Sequence, residues 1–241
     1  MSLRSAVCIF AHPDDETVLA GGLIALMVQQ KIKVHVVCAT RGEGGDPPVV
    51  KRQEELGAVR ERELRCAVAV LGASLTILDY VDPFIEPDSV PYPFEANFDR
   101  LVRQFVDIAR QQRADLILTH GADGDGHPSH QLINEAVRVG ASHMLPHTLV
   151  YTVAALVPNI EDRLWNQSEP AHLALDIRPW ADRKAAAMGC YVSQHARFKR
   201  FTKGQSGRTI EAVRRQQPDT HGEPPNDDFA RLLRTAGAWT P

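Results

Sequence analysis

The chain has 241 residues, of which 44% are hydrophobic and 24% are charged, a composition typical of a globular protein. Its formal net charge of −3 excludes the strong basic excess that nucleic-acid and membrane-surface binders carry. No apolar stretch approaches the length of a membrane span, and the apolar stretch near the N-terminus is too short for a signal peptide. We therefore expect a cytoplasmic protein without a nucleic-acid or membrane partner.

Short apolar runs alternate with longer helical patterns over the first two thirds of the chain. Strands are predicted at 6–10, 33–40, 75–80, 115–120 and 148–156, and helices at 16–30, 54–72, 94–112 and 129–144. This alternation predicts an α/β fold, a Rossmann-like and mainly parallel sheet with helices on both faces. Sheets of this kind place their sites in the loops beyond the carboxyl ends of the strands.

The pattern weakens after residue 157. We predict a further strand at 172–177, a helix at 180–191 and a polar, proline-rich loop at 214–228. The expected organisation is one domain spanning 1–241. Its core covers 6–156, and the elaborated C-terminal third, 157–241, shapes the substrate side.

The four cysteines give no metal or redox motif. No two of them have a Cys-x-x-Cys spacing, which argues against a zinc knuckle and a thioredoxin-like site. Cys8 and Cys38 fall inside apolar runs and are predicted to be buried free thiols. Free thiols fit a reducing cytoplasm.

Three polar clusters follow predicted strands. They are "AHPDDE" (11–16), "TRGEGG" (40–45) and "THGADGDGHPSHQ" (119–131). Taken alone, each cluster also has a purely structural explanation. "AHPDDE" could be a helix start with Asp14 as its cap, "TRGEGG" could be a glycine turn, and the histidines of the third cluster could be surface residues at a helix N-terminus. Because all three follow strands of one predicted sheet, we expect them to converge on one rim.

The histidines and aspartates of these clusters have a spacing that suits a metal. His12 and Asp15 are three residues apart at a strand-to-helix turn, and His127 and His130 repeat that spacing. A catalytic zinc takes three protein ligands and keeps one position for water, so His12, Asp15 and one later histidine would suffice. Asp14 would then be free to act as general base, and the pattern predicts metal-assisted hydrolysis of an amide or ester.

Other kinds of site are less well supported. No Gly-x-Gly-x-x-Gly follows the first strand and no P-loop occurs, and "GQSGR" (204–208) lacks the pattern of a serine nucleophile. Six further histidines are scattered and are interpreted as structural or surface residues: His35, His143, His147, His172, His195 and His221.

Taken together, the motifs resemble those of the LmbE-like (PIG-L) zinc-dependent N-acetylglucosamine deacetylases. "AHPDDE" matches the family signature and "TRGEGG" is similar to its Thr-x-Gly-x-x-Gly loop. Four further segments follow in the family's order. "RERELRCAVAVLGA" (60–73) resembles its Arg-x-x-Glu-Leu helix, and "YVDP" (80–83) resembles an Asp-bearing turn. "GHPSH" (126–130) resembles its Gly-His-Pro-Asp-His segment, and "KAAAMGCYVSQ" (184–194) resembles its C-terminal Lys…Ser-Gln segment.

The resemblance implies a role for each matching residue. His12, Asp15 and His130 would be the zinc ligands, with Fe²⁺ or another divalent ion also compatible. Asp14 would be the base and His127 the general acid or oxyanion partner. Glu43, Arg60 and Asp82 fall at positions of sugar or active-site contacts. Arg60 could instead form a salt bridge within its helix region, Asp82 could cap a turn, and Glu16 could orient His12 or favour the helix start.

The chain departs from the family near the second histidine pair. Ser129 stands where the family commonly has Asp, and Asp125 stands where some members have Tyr. If the family's Asp orients His127, Ser129 would do so more weakly, unless Asp125 or Asp123 replaces the missing charge; otherwise the acid step is impaired.

The function implied by the resemblance is removal of acetyl from an N-acetylglucosaminyl compound. A glucosamine conjugate of a bacillithiol- or mycothiol-type pathway is one such small-molecule substrate. Two alternatives stay open: a hydrolase of another amide or ester, and a metal- or sugar-binding protein that has lost catalysis. The sequence also leaves open a homo-oligomer.

Overall fold

The computed structural model describes residues 3–45, 53–85, 89–160, 168–195, 209–220 and 223–241. The strands are β1 (Ser5–Phe10), β2 (Lys33–Thr40), β3 (Ser74–Tyr80), β4 (Leu116–Thr119), β5 (Leu149–Val153), β6 (Leu173–Asp176) and β7 (Ile210–Gln217). The helices are α1 (Asp15–Gln29), α2 (Gln53–Leu71), α3 (Phe98–Gln111), α4 (Pro128–Met144), α5 (Ala181–Gly189) and α6 (Asp228–Thr235).

The strands form one sheet in the order β3-β2-β1-β4-β5-β7-β6. The strands β1 to β5 are parallel to one another, and β7 is antiparallel to both β5 and β6. The predicted α/β class with a mainly parallel sheet is therefore confirmed. The chain order reverses between β1 and β4, and such a switch point opens a crevice beyond the strand ends.

Strand β1 shows why the sequence forms this sheet. All six of its residues are buried, because helices cover both faces. Ala6, Cys8 and Phe10 pack into one apolar layer, whereas Val7 and Ile9 pack into the other. The period-two alternation of a strand thus divides one continuous apolar run between two cores.

Two predicted boundaries need correction. The predicted loop at 214–228 is wrong over 214–217, where β7 inserts between β5 and β6. Its polar side chains find partners in the fold: Arg215 donates to Asp227, and Gln216 exchanges amide hydrogen bonds with Asn134. The helix predicted at 94–112 begins later, at Phe98, because Asn97 caps it by accepting the N–H of Arg100.

The C-terminal third adds β6, β7, α5 and α6 to the fold, and helix α6 was not predicted. Its two strands extend the same sheet. The domain boundaries and the role of this third on the substrate side stay predictions.

The cysteines divide into two kinds. Cys8 and Cys38 are buried free thiols, as predicted. Cys66 on α2 and Cys190 after α5 form a disulfide that the sequence analysis did not anticipate. A disulfide is more usual in oxidising compartments, so the cytoplasmic location stays a prediction. None of the helices in the described ranges is both long and apolar enough to cross a bilayer.

Candidate metal centre and active site

A cavity of about 320 Å³ lies beyond the carboxyl ends of β1 and β4, at the switch point of the sheet. The loops after β1, β2, β3 and β4 all contribute to its wall. Its ionisable residues are His12, Asp14, Asp15, Arg60, Asp82, Asp125, His127 and His130. The three polar clusters predicted from the sequence therefore meet here, together with the turn after β3.

The segment "AHPDDE" forms a tight turn between β1 and α1. Asp14 occupies the N-cap position with φ 97° and ψ −28°, a conformation that is uncommon and costly for a residue with a side chain. Its side chain makes no capping hydrogen bond, so the interpretation as a simple cap is not supported. Glu16 holds the turn instead, since its carboxylate accepts the N–H of Asp14 at 3.1 Å and the hydroxyl of Tyr191 at 2.6 Å.

Three atoms of the predicted metal ligands form a nearly equilateral triangle. His12 Nδ1 lies 3.2 Å from His130 Nε2, and Asp15 Oδ2 lies 3.4 Å from each of them. Ligand atoms bound to a tetrahedral zinc at about 2.0–2.1 Å would be about 3.3 Å apart. The spacing of this donor triangle therefore fits a tetrahedral ion with one further position.

The other nitrogen of His12 points away from the donor triangle, which uses Nδ1. This Nε2 is buried and lies 3.1 Å from Asp82 Oδ1, so Asp82 is the acid on that side of the ring. Two imidazoles and a carboxylate are also the donor set that zinc accepts, so the residues present fit the metal.

The carboxylates around the cavity pull protons onto two of its imidazoles. Burial disfavours the protonated rings, but nearby carboxylates outweigh it: Asp82 and Asp15 raise the pKa of His12 to about 9. In the same way, Asp15 and Asp125 raise the pKa of His130 to about 10. The field at the donor triangle is therefore negative and favours a cation.

His127 begins α4 and faces the same cavity. Its Nδ1 accepts the N–H of Ser129 at 3.3 Å, which caps the helix. Its ring centre lies 4.7 Å from that of His12 and 4.6 Å from that of His130. Burial and the charges of these two rings lower its pKa to about 3, so His127 is neutral near pH 7.

Arg60 reaches the cavity from α2 with its guanidinium engaged. Nη2 donates to Pro13 O at 2.6 Å and to Asp14 Oδ2 at 3.1 Å, and Nη1 donates to Gly42 O at 2.9 Å. Its carboxylate partner is thus Asp14, the predicted base, and none of these three hydrogen bonds goes to a residue of α2. Arg60 anchors the side chain of Asp14 and both loops that flank it.

Asp82 and Glu43 take different positions. The carboxylate of Asp82 lines the cavity next to His12. Glu43 is buried behind it and accepts the N–H of Asp82 at 3.0 Å, while the neighbouring Gly44 and Gly45 form the wall. Within the described residues, the Asp82 side chain contacts His12, and Glu43 supports the backbone of Asp82.

His120 is a site residue that the sequence analysis missed. It is buried at the end of β4, stacks on His130 with ring centres 3.8 Å apart, and its Nε2 accepts the N–H of Ala11. Asp15, His120 and His130 together form a second group of potential ligand atoms within 4.8 Å of one another. Its place directly after a strand of the switch point was the signal that could have identified it.

The fold and the site together define an α/β protein with a cluster of potential metal ligands, histidines and an aspartate, at its switch point. Residues 7–140, more than half of the chain, match the family model "PIG-L: GlcNAc-PI de-N-acetylase". The chain belongs to this family, and the resemblance predicted from its motifs is confirmed.

Individual relatives agree with this assignment and broaden it. The chain is 27% identical over 223 residues to 1D-myo-inositol 2-acetamido-2-deoxy-alpha-D-glucopyranoside deacetylase of Corynebacterium diphtheriae, covering 78% of this chain and 75% of that protein. It is 28% identical over 221 residues to 4-oxalmesaconate hydratase of Pseudomonas putida, covering 88% and 82%. The structure of N,N'-diacetylchitobiose deacetylase from Pyrococcus horikoshii shares the fold, with a TM-score of 0.65, 19% identity and coverage of 88% and 83%.

Proposed function

We propose that this protein is a zinc-dependent deacetylase that releases acetate from an N-acetylglucosaminyl compound. The observation that carries the proposal is the donor triangle of His12, Asp15 and His130, with edges of 3.2, 3.4 and 3.4 Å, at the mouth of a cavity. These three residues would hold the ion. When bound, zinc supplies an activated water at neutral pH and polarises a carbonyl oxygen.

Asp14 is the proposed general base. It lies between the ligands His12 and Asp15 in the sequence and lines the cavity, and its carboxylate binds Arg60. A carboxylate beside the metal position can accept a proton from water. The hydrogen bond from Arg60 fixes its orientation.

His127 is the proposed oxyanion partner. Because its Nδ1 accepts a backbone N–H, its neutral ring carries the proton on Nε2. A neutral N–H donor stabilises the charge that develops on a carbonyl oxygen during attack on an amide. It lines the cavity beside His12, which suits that contact.

The size and charge of the cavity favour a neutral acetylated sugar. A volume of about 320 Å³ is at the lower end for small-molecule sites and suits one hexosamine unit. The lining residues that the structure describes include four carboxylates, Asp14, Asp15, Asp82 and Asp125, and one guanidinium, whose two Nη atoms are engaged. The deacetylase relative acts on such a sugar, linked to inositol, which supports a conjugate of the mycothiol or bacillithiol type.

A second candidate is hydration of an unsaturated carboxylic acid, because one relative is a hydratase whose alignment covers at least as much of this chain as that of the deacetylase. Its substrate name denotes several carboxylates, which require cationic partners. Apart from the histidines assigned to the metal, the described wall offers one cationic side chain, Arg60, whose Nη atoms already bind Asp14 and two carbonyls. The geometry therefore favours the deacetylase.

An assay of the zinc-loaded protein on several compounds separates these activities. The compounds are N-acetylglucosamine, its inositol and malate conjugates, an acetyl ester and 4-oxalmesaconate. We expect free amine from an N-acetyl substrate, and a fall in kcat of about 100-fold or more in Asp14→Asn with zinc still bound. The matched control is Asp107→Asn, which makes the same acid-to-amide change at an exposed position of α3.

Each other outcome points to a different function. Full amine release by Asp14→Asn rules out the proposed base. Hydration of 4-oxalmesaconate without amine release favours the second candidate, and ester cleavage alone favours a different hydrolase. Zinc binding with no turnover of any compound indicates a binding protein. The cytoplasmic location and a homo-oligomer stay predictions.

A further inference from the structure

The loop before α4 is built to press one carboxylate against a metal-ligand histidine. Three consecutive residues have left-handed backbones: Gly124 at φ 54°, Asp125 at φ 51° and Gly126 at φ 80°. Glycine adopts this region without penalty, and aspartate tolerates it better than most residues. A Cβ at Gly124 would lie 2.8 Å from Gln131 N and 2.9 Å from His130 Cβ, so only glycine permits this approach to the helix.

Asp125 uses that approach to contact His130. Its Oδ1 lies 2.7 Å from His130 Nδ1, and both side chains are largely buried. A carboxylate can only accept, so Nδ1 keeps its proton and Nε2 is the nitrogen left to offer a lone pair to a metal. That Nε2 is the atom of His130 in the donor triangle.

Asp125 is itself held in place. Its N–H donates to Asp123 Oδ1 at 3.2 Å, and Asp123 Oδ2 accepts both the N–H and the hydroxyl of Ser168, at 3.0 and 2.9 Å. The two aspartates therefore have separate tasks. Asp123 closes the loop and ties it to a distant segment, while Asp125 reaches the histidine.

His127 is served differently. Its Nδ1 accepts the N–H of Ser129, so in the neutral ring it has no proton to offer a carboxylate. The hydroxyl of Ser129 is buried and accepts the N–H of Phe94 at 3.3 Å. The carboxylate expected next to His127 is thus absent at position 129, and neither acid of the loop makes up for it on the Nδ1 side.

We propose that Asp125 is a positioning residue of the metal centre, which fixes the tautomer and orientation of His130 and increases its strength as a ligand. This inference rests on the proposed metal site. In this chain the supporting carboxylate serves the ligand His130, and His127 keeps a backbone partner. Removing a carboxylate that hydrogen-bonds a metal-bound histidine typically lowers metal affinity by about 10–100-fold.

The test compares Asp125→Asn with the wild-type chain by metal binding alone. Asparagine keeps the size and the tolerance of the left-handed region but removes the charge. We expect Zn²⁺ affinity, measured by competition with a chromophoric chelator, to fall by about 10–100-fold. The Co²⁺-loaded protein should change its visible absorption bands, a readout that loss of a purely structural contact would leave unaltered.

Two further variants complete the test. Glu135→Gln on α4 removes a charge from an exposed pair with Arg138, and should bind both ions as the wild type does. Asp125→Gly keeps the left-handed turn without a side chain and replaces the asparagine variant if that one fails to fold. Thermal denaturation of the metal-free proteins shows that each variant is folded.

Unchanged Zn²⁺ affinity, within about twofold, in a folded Asp125→Asn or Asp125→Gly protein would overturn the inference, as would a wild-type chain that binds no metal. Because the readout is metal binding, it is separate from the proposed activity. Asp125-dependent binding without amine release refutes the activity only, and amine release with Asp125-independent binding refutes this inference only.

Discussion

Arg60 and Asp14 meet across the cavity from different elements, with Nη2 of the arginine 3.1 Å from Oδ2 of the aspartate. The guanidinium is buried, and the same nitrogen also donates to Pro13 O. The proposed base is therefore oriented by a residue 46 positions away in the sequence. Nη1 donates to Gly42 O as well, so the forked guanidinium ties this turn to a second loop, which the single ammonium of a lysine could not do.

Replacing Arg60 should thus impair turnover more than metal binding. In Arg60→Lys the charge stays but the fork is lost, so we expect kcat to fall by about 10–100-fold through misplacement of Asp14. Zn²⁺ affinity should stay within about threefold, since no ligand is touched. Arg65→Lys, an exposed position on the same helix that pairs with Glu61, is the control. A loss of affinity as large as the loss of kcat would show that Arg60 supports the ligands instead.

A second buried ion pair joins the C-terminal third to α1. Lys184 Nζ lies 2.7 Å from Glu211 Oε1 and donates to Val18 O, while the carboxylate accepts the N–H groups of Gly22 and Leu23. Removing one partner leaves the other buried and uncompensated. We expect Lys184→Met or Glu211→Gln to lower the free energy of unfolding by about 3–5 kcal/mol in urea titrations.

The exposed pair of Glu135 and Arg138 supplies the comparison for that result. Glu135→Gln should change the free energy of unfolding by less than about 1 kcal/mol, because water screens the pair. The double variant Lys184→Met/Glu211→Gln should lose less than the sum of the single variants, since neither is then left with an unpaired partner. Additive losses would show that the two residues act separately.

His35 gives the fold a defined pH dependence away from the site. Its ring nitrogens contact Ser74 Oγ at 2.7 Å and Thr76 Oγ1 at 2.9 Å, and burial lowers its pKa below the usual value. As the pH falls through about 6.5, the unfolded chain takes up a proton here that the folded chain does not, so stability decreases. Above that pH His35 makes no such contribution.

The matching measurement is the difference in melting temperature between wild type and His35→Gln at several pH values. The wild type should lose more stability than the variant between pH 7.5 and 5.5, and other groups cancel in the comparison. His143→Gln, at an exposed position of α4, controls for loss of an imidazole. Parallel curves for wild type and His35→Gln would refute the prediction.

Metal removal should lower thermal stability without unfolding the protein at 25 °C. The donor triangle lies between β1, α1 and α4, and an ion bound there stabilises the native state by about 2.7 kcal/mol at a hundredfold excess over Kd. We expect a chelator to lower the melting temperature and added Zn²⁺ to restore it. His12→Ala should abolish this shift. A shift that persists in His12→Ala would place the stabilising ion elsewhere.

Short-range patterns carried much of the correct prediction. The alternation of apolar runs and helical periods predicted five strands in a parallel sheet, because β1, β2, β4 and β5 are buried almost throughout and read as continuous apolar runs. The pattern failed at β7, where Arg214, Arg215, Gln216 and Gln217 look like loop. Each of their side chains has a hydrogen-bond partner outside the strand, and local patterning contains no information about those partners.

The sequence by itself determined which residues could form a metal site and the family to which the chain belongs. His12 with Asp15, and His127 with His130, depend on spacing within one turn, which any folded state must respect. Tertiary structure alone decided the rest: that Arg60 holds Asp14, that His120 joins the cluster, and that Asp125 serves His130. These contacts depend on the order of strands at the switch point and on a left-handed turn, and both are set by packing of the whole chain rather than by neighbours in the sequence.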